Sequence, residues 1–395
     1  MINFSTHKAL RSLLIVFALL TAIGIVMVYS SSYIFAKESL GDSAYFFKKQ
    51  LIVATLGLVA IFIVQSVNFG TLFKYFPAIH LIATFFLFCT FIPEFGVNIK
   101  GSRRWLDFGP FVIQPGEFIK YTIALFAINY FSHFNRMILK KKIVGLLNLM
   151  IPLALFIFQP DFGSFTICLI IISFVAFLSD FPRRYLYMGA ALCTSGIILL
   201  IFEAPYRIQR LMSYLDPWQD PKKSGFQIIQ SFLAFANGSF WGKGLGNSNE
   251  KLFYLPEAHN DFIFSVIGEE LGFIWGVLPI VALFIAMTFL GFKIALALKS
   301  KTAAVTISTI IFAIAVQALL NMGVVLGLLP TKGLNLPFIS YGGSSLLANL
   351  LAIGVIISSA KNSSPDQNPS DLSDFSSRKR APYSYRIDYR SRVQK

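Results

Sequence analysis

The residues best placed to do chemistry fall in one run, Leu255-Pro256-Glu257-Ala258-His259-Asn260-Asp261-Phe262-Ile263-Phe264, with Gly268-Glu269-Glu270-Leu271-Gly272 close behind. Asp261 stands where a polar segment gives way to a long apolar one, so its carboxylate meets the edge of a bilayer. A carboxylate there gains from the helix N-terminal dipole and can serve as an N-cap. It can equally mark a site or a path, because ionisable groups in a membrane are expensive and concentrate where function needs them. Local sequence admits both readings. At 1.5 Å per residue, Glu269 and Glu270 lie about 12 and about 14 Å deeper in the same helix. At 100° per residue, Glu269 is turned roughly 80° from Asp261 and Glu270 roughly 180°, so only Glu269 shares its half of the helix. Either glutamate can instead be structural, paired with a cation on another helix, for which Lys120 is a candidate. Glu117 and Lys120 are three apart and can also pair with each other inside the bundle. His259, two residues before Asp261, reads as a loop hydrogen-bonder rather than a second base.

Upstream, Arg207 and Arg210 are three apart. In a helical turn they share a face and present two forked donors, suited to phosphate or pyrophosphate oxygens or to lipid headgroups. Ser224-Gly225 and Asn237-Gly238 bound a helical stretch over 225–236, about 18 Å long and too short to span a bilayer. Gln227, Gln230, Ser231 and Ala234 form a narrow polar stripe on it, expected to face a cavity or the interface, while the rest is apolar. The run Gly238-Ser239-Phe240-Trp241-Gly242-Lys243-Gly244-Leu245-Gly246 could cradle phosphate, but it lacks the G-K-[ST] ending of a Walker loop.

The elements that must position these groups are membrane helices. Only 13% of the 395 residues are charged, against roughly 25% in soluble domains. With 55% apolar residues, 42 Phe and a mean hydropathy of +0.67, a cytoplasmic globular enzyme is excluded in favour of a polytopic membrane protein. Apolar runs at 13–33, 51–67, 76–92, 116–132, 143–159, 162–179, 185–204, 261–291, 303–329 and 345–360 give an all-α fold of ten transmembrane helices. Each meets or approaches the ~20 residues needed to cross the hydrocarbon. The first run exceeds a signal-peptide core and lacks a clear cleavage site, so it reads as a retained anchor.

The net charge of +15 is absorbed by the membrane topology and does not imply nucleic acid. With a cytoplasmic N-terminus, one set of connections collects twelve basic residues against the single acid Asp180, whereas the opposite set is mixed. Both termini are then cytoplasmic. Residues 1–12 form a short cytoplasmic N-terminus, 13–360 the membrane domain, and 361–395 a disordered basic tail. The segments 93–115, 205–260 and 330–344 face outward, and the second is a large loop between the seventh and eighth helices. Cys89, Cys168 and Cys193 all sit in apolar runs with no metal or disulfide spacing.

Four blocks carry a resemblance that extends over about 12–360. They are Lys100-Gly101-Ser102-Arg103-Arg104-Trp105-Leu106 with Gln114-Pro115-Gly116-Glu117; Gln159-Pro160-Asp161-Phe162-Gly163-Ser164; Leu255 to Gly272; and Leu329-Pro330-Thr331-Lys332-Gly333 with Leu336 to Ser345. In these the chain resembles the SEDS (shape, elongation, division and sporulation) family of bacterial peptidoglycan glycosyltransferases, and within it the division polymerases more than the elongation ones. Gly116, Asn260 and Ser239 depart from the family wording without removing an ionisable group.

The resemblance implies ten membrane helices and polymerisation of lipid II, with undecaprenyl pyrophosphate as the leaving group and Asp261 as the catalytic residue. A general base there removes the proton of the acceptor 4-hydroxyl. Arg207, Arg210 and Lys243 become candidates for the pyrophosphate. Gln230, Ser231 and His259 are further substrate-binding candidates, and Glu117, Lys120, Glu269 and Glu270 are candidates for support or for lining the cavity. No covalently bound cofactor is implied, and a divalent cation, Mg2+ or Mn2+, with unknown ligands, is allowed beside the pyrophosphate. The implied partners are a class B penicillin-binding protein, a transpeptidase, and other division proteins. The implied place is the bacterial inner membrane at the division septum. A lipid II flippase and a non-catalytic division scaffold are the alternatives.

Overall fold

The computed structural model describes residues 4–99, 102–109, 111–179, 181–189, 191, 195–196, 214, 216–221, 225–251, 258–330 and 333–361. Helices occupy nine of the ten expected apolar runs. The first six are α1 (Phe4–Leu40), α2 (Tyr45–Ser66), α3 (Phe69–Cys89), α4 (Pro115–His133), α5 (Leu139–Phe158) and α6 (Phe162–Leu178). The seventh run lies for the most part outside the described residues, and the chain is helical over 183–189 at its start. The expected loop helix is α7 (Phe226–Gly238). The eighth run is divided into α8 (Ile263–Gly272), a π-helical turn over Phe273–Val277, and α9 (Leu278–Ala297). The remaining two are α10 (Lys301–Val325) and α11 (Gly343–Lys361). Among the described residues, seven helical segments are long and apolar enough to cross a membrane. The basic tail beyond Lys361 lies outside the described residues.

Local chemistry sets several boundaries. Asn68 accepts from the Gly70 amide to cap α3, Asp161 from the Ser164 amide to cap α6, and Ser300 from the Ala303 amide to cap α10. Pro115 opens α4, where the missing N–H costs nothing. Outward faces are apolar throughout: Phe62 and Ile63 on α2, Phe85 on α3, Leu146 on α5 and Phe289 on α9 are all exposed. So large an apolar girdle requires lipid around it. By contrast α4 is buried on almost every side and forms the centre of the bundle.

The fold is not purely α. The 93–115 segment carries a three-stranded antiparallel sheet, β1 (Gly96–Ile99), β2 (Ser102–Asp107) and β3 (Val112–Ile113), in the order β1-β2-β3. Gly96 pairs with Leu106, and Leu106 with Ile113. Periodicity missed it because the strands are short and their pairing is local to one loop.

A close approach joins α1 to the segment that precedes α11. A Cβ on Gly24 would lie 2.2 Å from the carbonyl oxygen of Phe338, a residue itself at φ +67°. Gly24→Val should therefore displace residues 336–340 and lower the thermal midpoint of the purified protein by several degrees. A midpoint equal to that of the wild type would show the contact to be absent.

Candidate functional site

Asp261 is half-buried and sits two residues before α8, just ahead of its N-cap Phe262. The N-cap position is thus held by Phe262, while Asp261 lies at the loop junction with its backbone held. Asn321, on α10, donates one amide to two carbonyls, those of Asp261 at 2.8 Å and Leu334 at 2.5 Å. A Cβ on Gly333 would lie 3.1 Å from Asp261 Oδ2, so the 333–342 segment passes directly over the carboxylate. That segment is pinned further along: Ser340 Oγ donates to the Asn260 carbonyl at 2.7 Å, and the Tyr341 amide donates to the His259 carbonyl at 2.9 Å. The His259 ring packs against Phe46 at 4.7 Å and against Phe35 and Tyr341 at 5.8 Å each. Burial pushes the Tyr341 hydroxyl up to about 12, with Tyr45 adding to the rise, so it stays protonated.

Lys120 does not meet Glu269 or Glu270. Its ammonium, 2% exposed, donates to Glu117 Oε2 at 2.5 Å and to Gln317 Oε1 at 2.6 Å. Gln317 Nε2 passes the chain on to the Asn335 carbonyl at 2.8 Å. The Glu117–Lys120 pair thus supports the segment over Asp261 from behind. Gln317 and Asn321 were not singled out from sequence, although two amides four apart on one face of an apolar helix were the available signal. Arg104 was missed as well. It donates to Ser102 Oγ at 2.7 Å and to the Pro160 carbonyl at 2.8 Å, and approaches Asp161 at 3.9 Å, tying β2 to the start of α6.

Glu269 and Glu270 are 0% and 1% exposed and each has its own lysine. Glu269 accepts from Lys243 Nζ at 2.9 Å, Ser248 Oγ at 2.5 Å and the Asn249 amide at 3.1 Å. Glu270 accepts from Lys251 Nζ at 2.7 Å and from Ser30 Oγ of α1 at 2.5 Å. Lys243, expected at the pyrophosphate, is thus committed to Glu269. Nor does the glycine-rich run form a phosphate cradle. The amides of Lys243 and Gly244 donate to the carbonyls of Glu269 and Glu270, while Phe273 and Ile274 donate to those of Ser239 and Phe240. The run closes the interruption of the eighth span at Gly272, φ +74°. Gly242 is required, since its Cβ would lie 2.3 Å from the Glu270 carbonyl oxygen.

Of the α7 stripe, Ser231 and Ala234 are buried in packing, and Ser231 Oγ donates to the Val325 carbonyl at 2.7 Å. Ser231 therefore joins α7 to the end of α10 and is not open to a substrate. Gln227 and Gln230 are half-buried. Arg207 and Arg210 lie outside the described residues. Among the described residues, no group of three His, Cys, Asp or Glu side chains is arranged to hold a metal ion.

The arrangement is a helical, multi-pass membrane protein with one loop-junction carboxylate held by backbone contacts and braced by buried charge. Residues 10–364 match the family model of the cell cycle proteins FtsW, RodA and SpoVE, and the chain belongs to that family. It is 40% identical over 358 residues to stage V sporulation protein E of Bacillus subtilis, covering 89% of this chain and 96% of that one. It is also 40% identical over 342 residues to the "Probable peptidoglycan glycosyltransferase FtsW" of Geobacter metallireducens, covering 86% and 91%. Among solved structures, it resembles a chain from "Structural coordination of polymerization and crosslinking by a peptidoglycan synthase complex". The TM-score is 0.73 at 27% identity, covering 90% of this chain and 98% of that one. Thermus thermophilus RodA matches in fold with a TM-score of 0.65 at 24% identity, covering 89% and 96%.

Glu250 gives the region a pH signature. Burial, then the neighbouring Glu269 charge, raises its carboxyl above the ordinary value, partly offset by Lys243. A carboxyl raised on folding contributes stability at low pH that is lost as pH rises through its folded pKa. Glu250→Gln should therefore raise the thermal midpoint at pH 8, with the gain shrinking to nothing as pH falls toward 4. A gain that is constant across this range would exclude titration of Glu250 as its source.

Proposed function

We propose that this chain is a peptidoglycan glycosyltransferase that polymerises lipid II into glycan strands for septal wall synthesis in cell division. The observation that carries the reading is the Asp261 carboxylate at the loop–membrane junction, with its main chain fixed by Asn321 and a loop laid over it. In the reaction the acceptor sugar's 4-hydroxyl oxygen attacks the anomeric carbon of the donor, its proton passes to Asp261, and the bond to undecaprenyl pyrophosphate breaks with inversion. The polyprenyl chain explains the bilayer setting, because the substrate resides there.

The pyrophosphate needs positive charge, and Arg207 and Arg210 remain the side chains proposed for it. Gln230 and His259 are proposed to line the substrate side. A divalent ion, Mg2+ or Mn2+, would accompany the pyrophosphate oxygens. The chain is proposed to span the bacterial inner membrane ten times with both termini cytoplasmic, and to work at the septum with a class B penicillin-binding protein and other division proteins. Against a flippase, Glu117, Lys120, Glu269 and Glu270 are neutralised in close pairs rather than lining a continuous polar path.

The test is glycan-chain formation from fluorescent lipid II by the purified protein, with and without its transpeptidase, for wild type and Asp261→Asn. Polymer from the wild type that falls at least ~10²-fold in the variant is expected. Equal polymer from both would remove Asp261 as the base. No polymer from the wild type even with the partner would favour the flippase or scaffold.

A further inference from the structure

We propose that Glu269 and Glu270 are positioning residues for Asp261, acting through α8 as a short rigid lever. This rests on Asp261 being the base. α8 has ten residues and makes backbone contact near its far end, where a Cβ on Gly238 of α7 would lie 2.0 Å from the Gly268 carbonyl oxygen. Asp261 lies seven residues before that contact, about 10 Å away along the helix. The two glutamates lie immediately beyond it. A small rotation of α8 at this point is therefore carried to the carboxylate with gain, and a misplacement of 1 Å at a reacting group can cost about 10²-fold in rate.

The two side chains grip different elements, as adjacent helical positions must, being turned about 100° apart. Glu269 gathers the 243–250 segment through Lys243, Ser248 and the amides of Asn249 and Glu250. Glu270 reaches Lys251 and, on α1, Ser30, whose carbonyl also accepts from Lys251 at 3.2 Å. The Lys251 ammonium lies 4.9 Å from the centre of the Tyr33 ring, a second contact to α1. Because α1 also touches the 336–340 segment at Gly24, Glu270 ties α8 to the helix that backs the cover over Asp261.

Energetics favour position over stability as the use of these pairs. A buried ion pair repays its desolvation only with excellent geometry, and apolar side chains of similar volume are often as stable. Two such pairs side by side, each with added hydrogen bonds, fix direction and register, which apolar contacts do not. Neither glutamate is needed to close the backbone at Gly272, since the amides of Lys243 and Gly244 do that by themselves.

The test uses the full-length protein in lipid vesicles with fluorescent lipid II. It compares wild type, Asp261→Asn, the neutral double variants Glu269→Gln/Lys243→Gln and Glu270→Gln/Lys251→Gln, and Lys251→Arg, which keeps the charge. Each neutral pair should lower kcat by about 10- to 100-fold with KM within about twofold of wild type, while Lys251→Arg retains most of the rate. A neutral pair with wild-type kcat, or one that raises KM at constant kcat, overturns the proposal. If the neutral pairs do not fold, Glu270→Asp carries the same test, since it keeps the charge and shortens the reach. There kcat at least ~10-fold down with an unchanged melting temperature supports the proposal, and wild-type kcat overturns it. An active Asp261→Asn variant would instead overturn the base assignment, a separate outcome from active clamp variants beside an inactive Asp261→Asn.

Discussion

In hydrocarbon a main-chain hydrogen bond that is opened must be closed by another partner, because an unsatisfied amide or carbonyl there costs several kcal/mol. Gly272 opens two such bonds, leaving the carbonyls of Glu269 and Glu270 without the amides of Phe273 and Ile274. Residues 239–244 supply both missing donors and both missing acceptors. Much of the site follows from this exchange. The loop must approach α8 closely enough to need glycine at 238 and 242, and once there it brings Lys243 and Lys251 to the two glutamates. The loop that closes the break therefore also fixes how α8, and the carboxylate at its start, is held.

The opposite side of Asp261 is held by different chemistry. Asn321 and Gln317 are neutral amides, which both donate and accept and cost far less to bury than ions. They meet the main chain of the 333–342 segment directly, and the charged pair Glu117–Lys120 stands one step further back. Neutral amides at the contact, with ions behind them, hold the main chain of this segment stiffly against Asp261.

Much of this was legible in the sequence, and the part that was not shares one cause. Nine of the ten apolar runs coincide with helices among the described residues, and the Ser-Gly to Asn-Gly interval gave α7 to within two residues. Asp261 stood out because a carboxylate at a membrane edge is costly. Partner identity was not legible. Lys120 meets Gln317 across 197 residues and Glu270 meets Ser30 across 240, separations that carry no local pattern. The glycine-rich run shows the same limit: its glycines answer to a helix break 30 residues downstream, whereas locally they fit an anion cradle without the Walker ending equally well. The sheet in the 93–115 segment escaped because β3 has only two residues and the six of β2, Ser-Arg-Arg-Trp-Leu-Asp, do not alternate apolar with polar.

The interruption of the eighth span also resolves a conflict of lengths. A continuous helix over Ile263–Ala297 has 35 residues and would reach about 52 Å, well beyond the ~30 Å of hydrocarbon. Its first turns, with Asp261 before them, would then stand far out in water. Breaking the helix at Gly272, followed by a π-helical turn, frees α8 from the axis of α9, and α8 packs instead along α7 while α9 packs on α1 and α10. A ten-residue segment about 15 Å long can keep the carboxylate that precedes it near the interface. The glycine that weakens the span is thus the residue that lets a membrane helix begin beside a half-buried carboxylate.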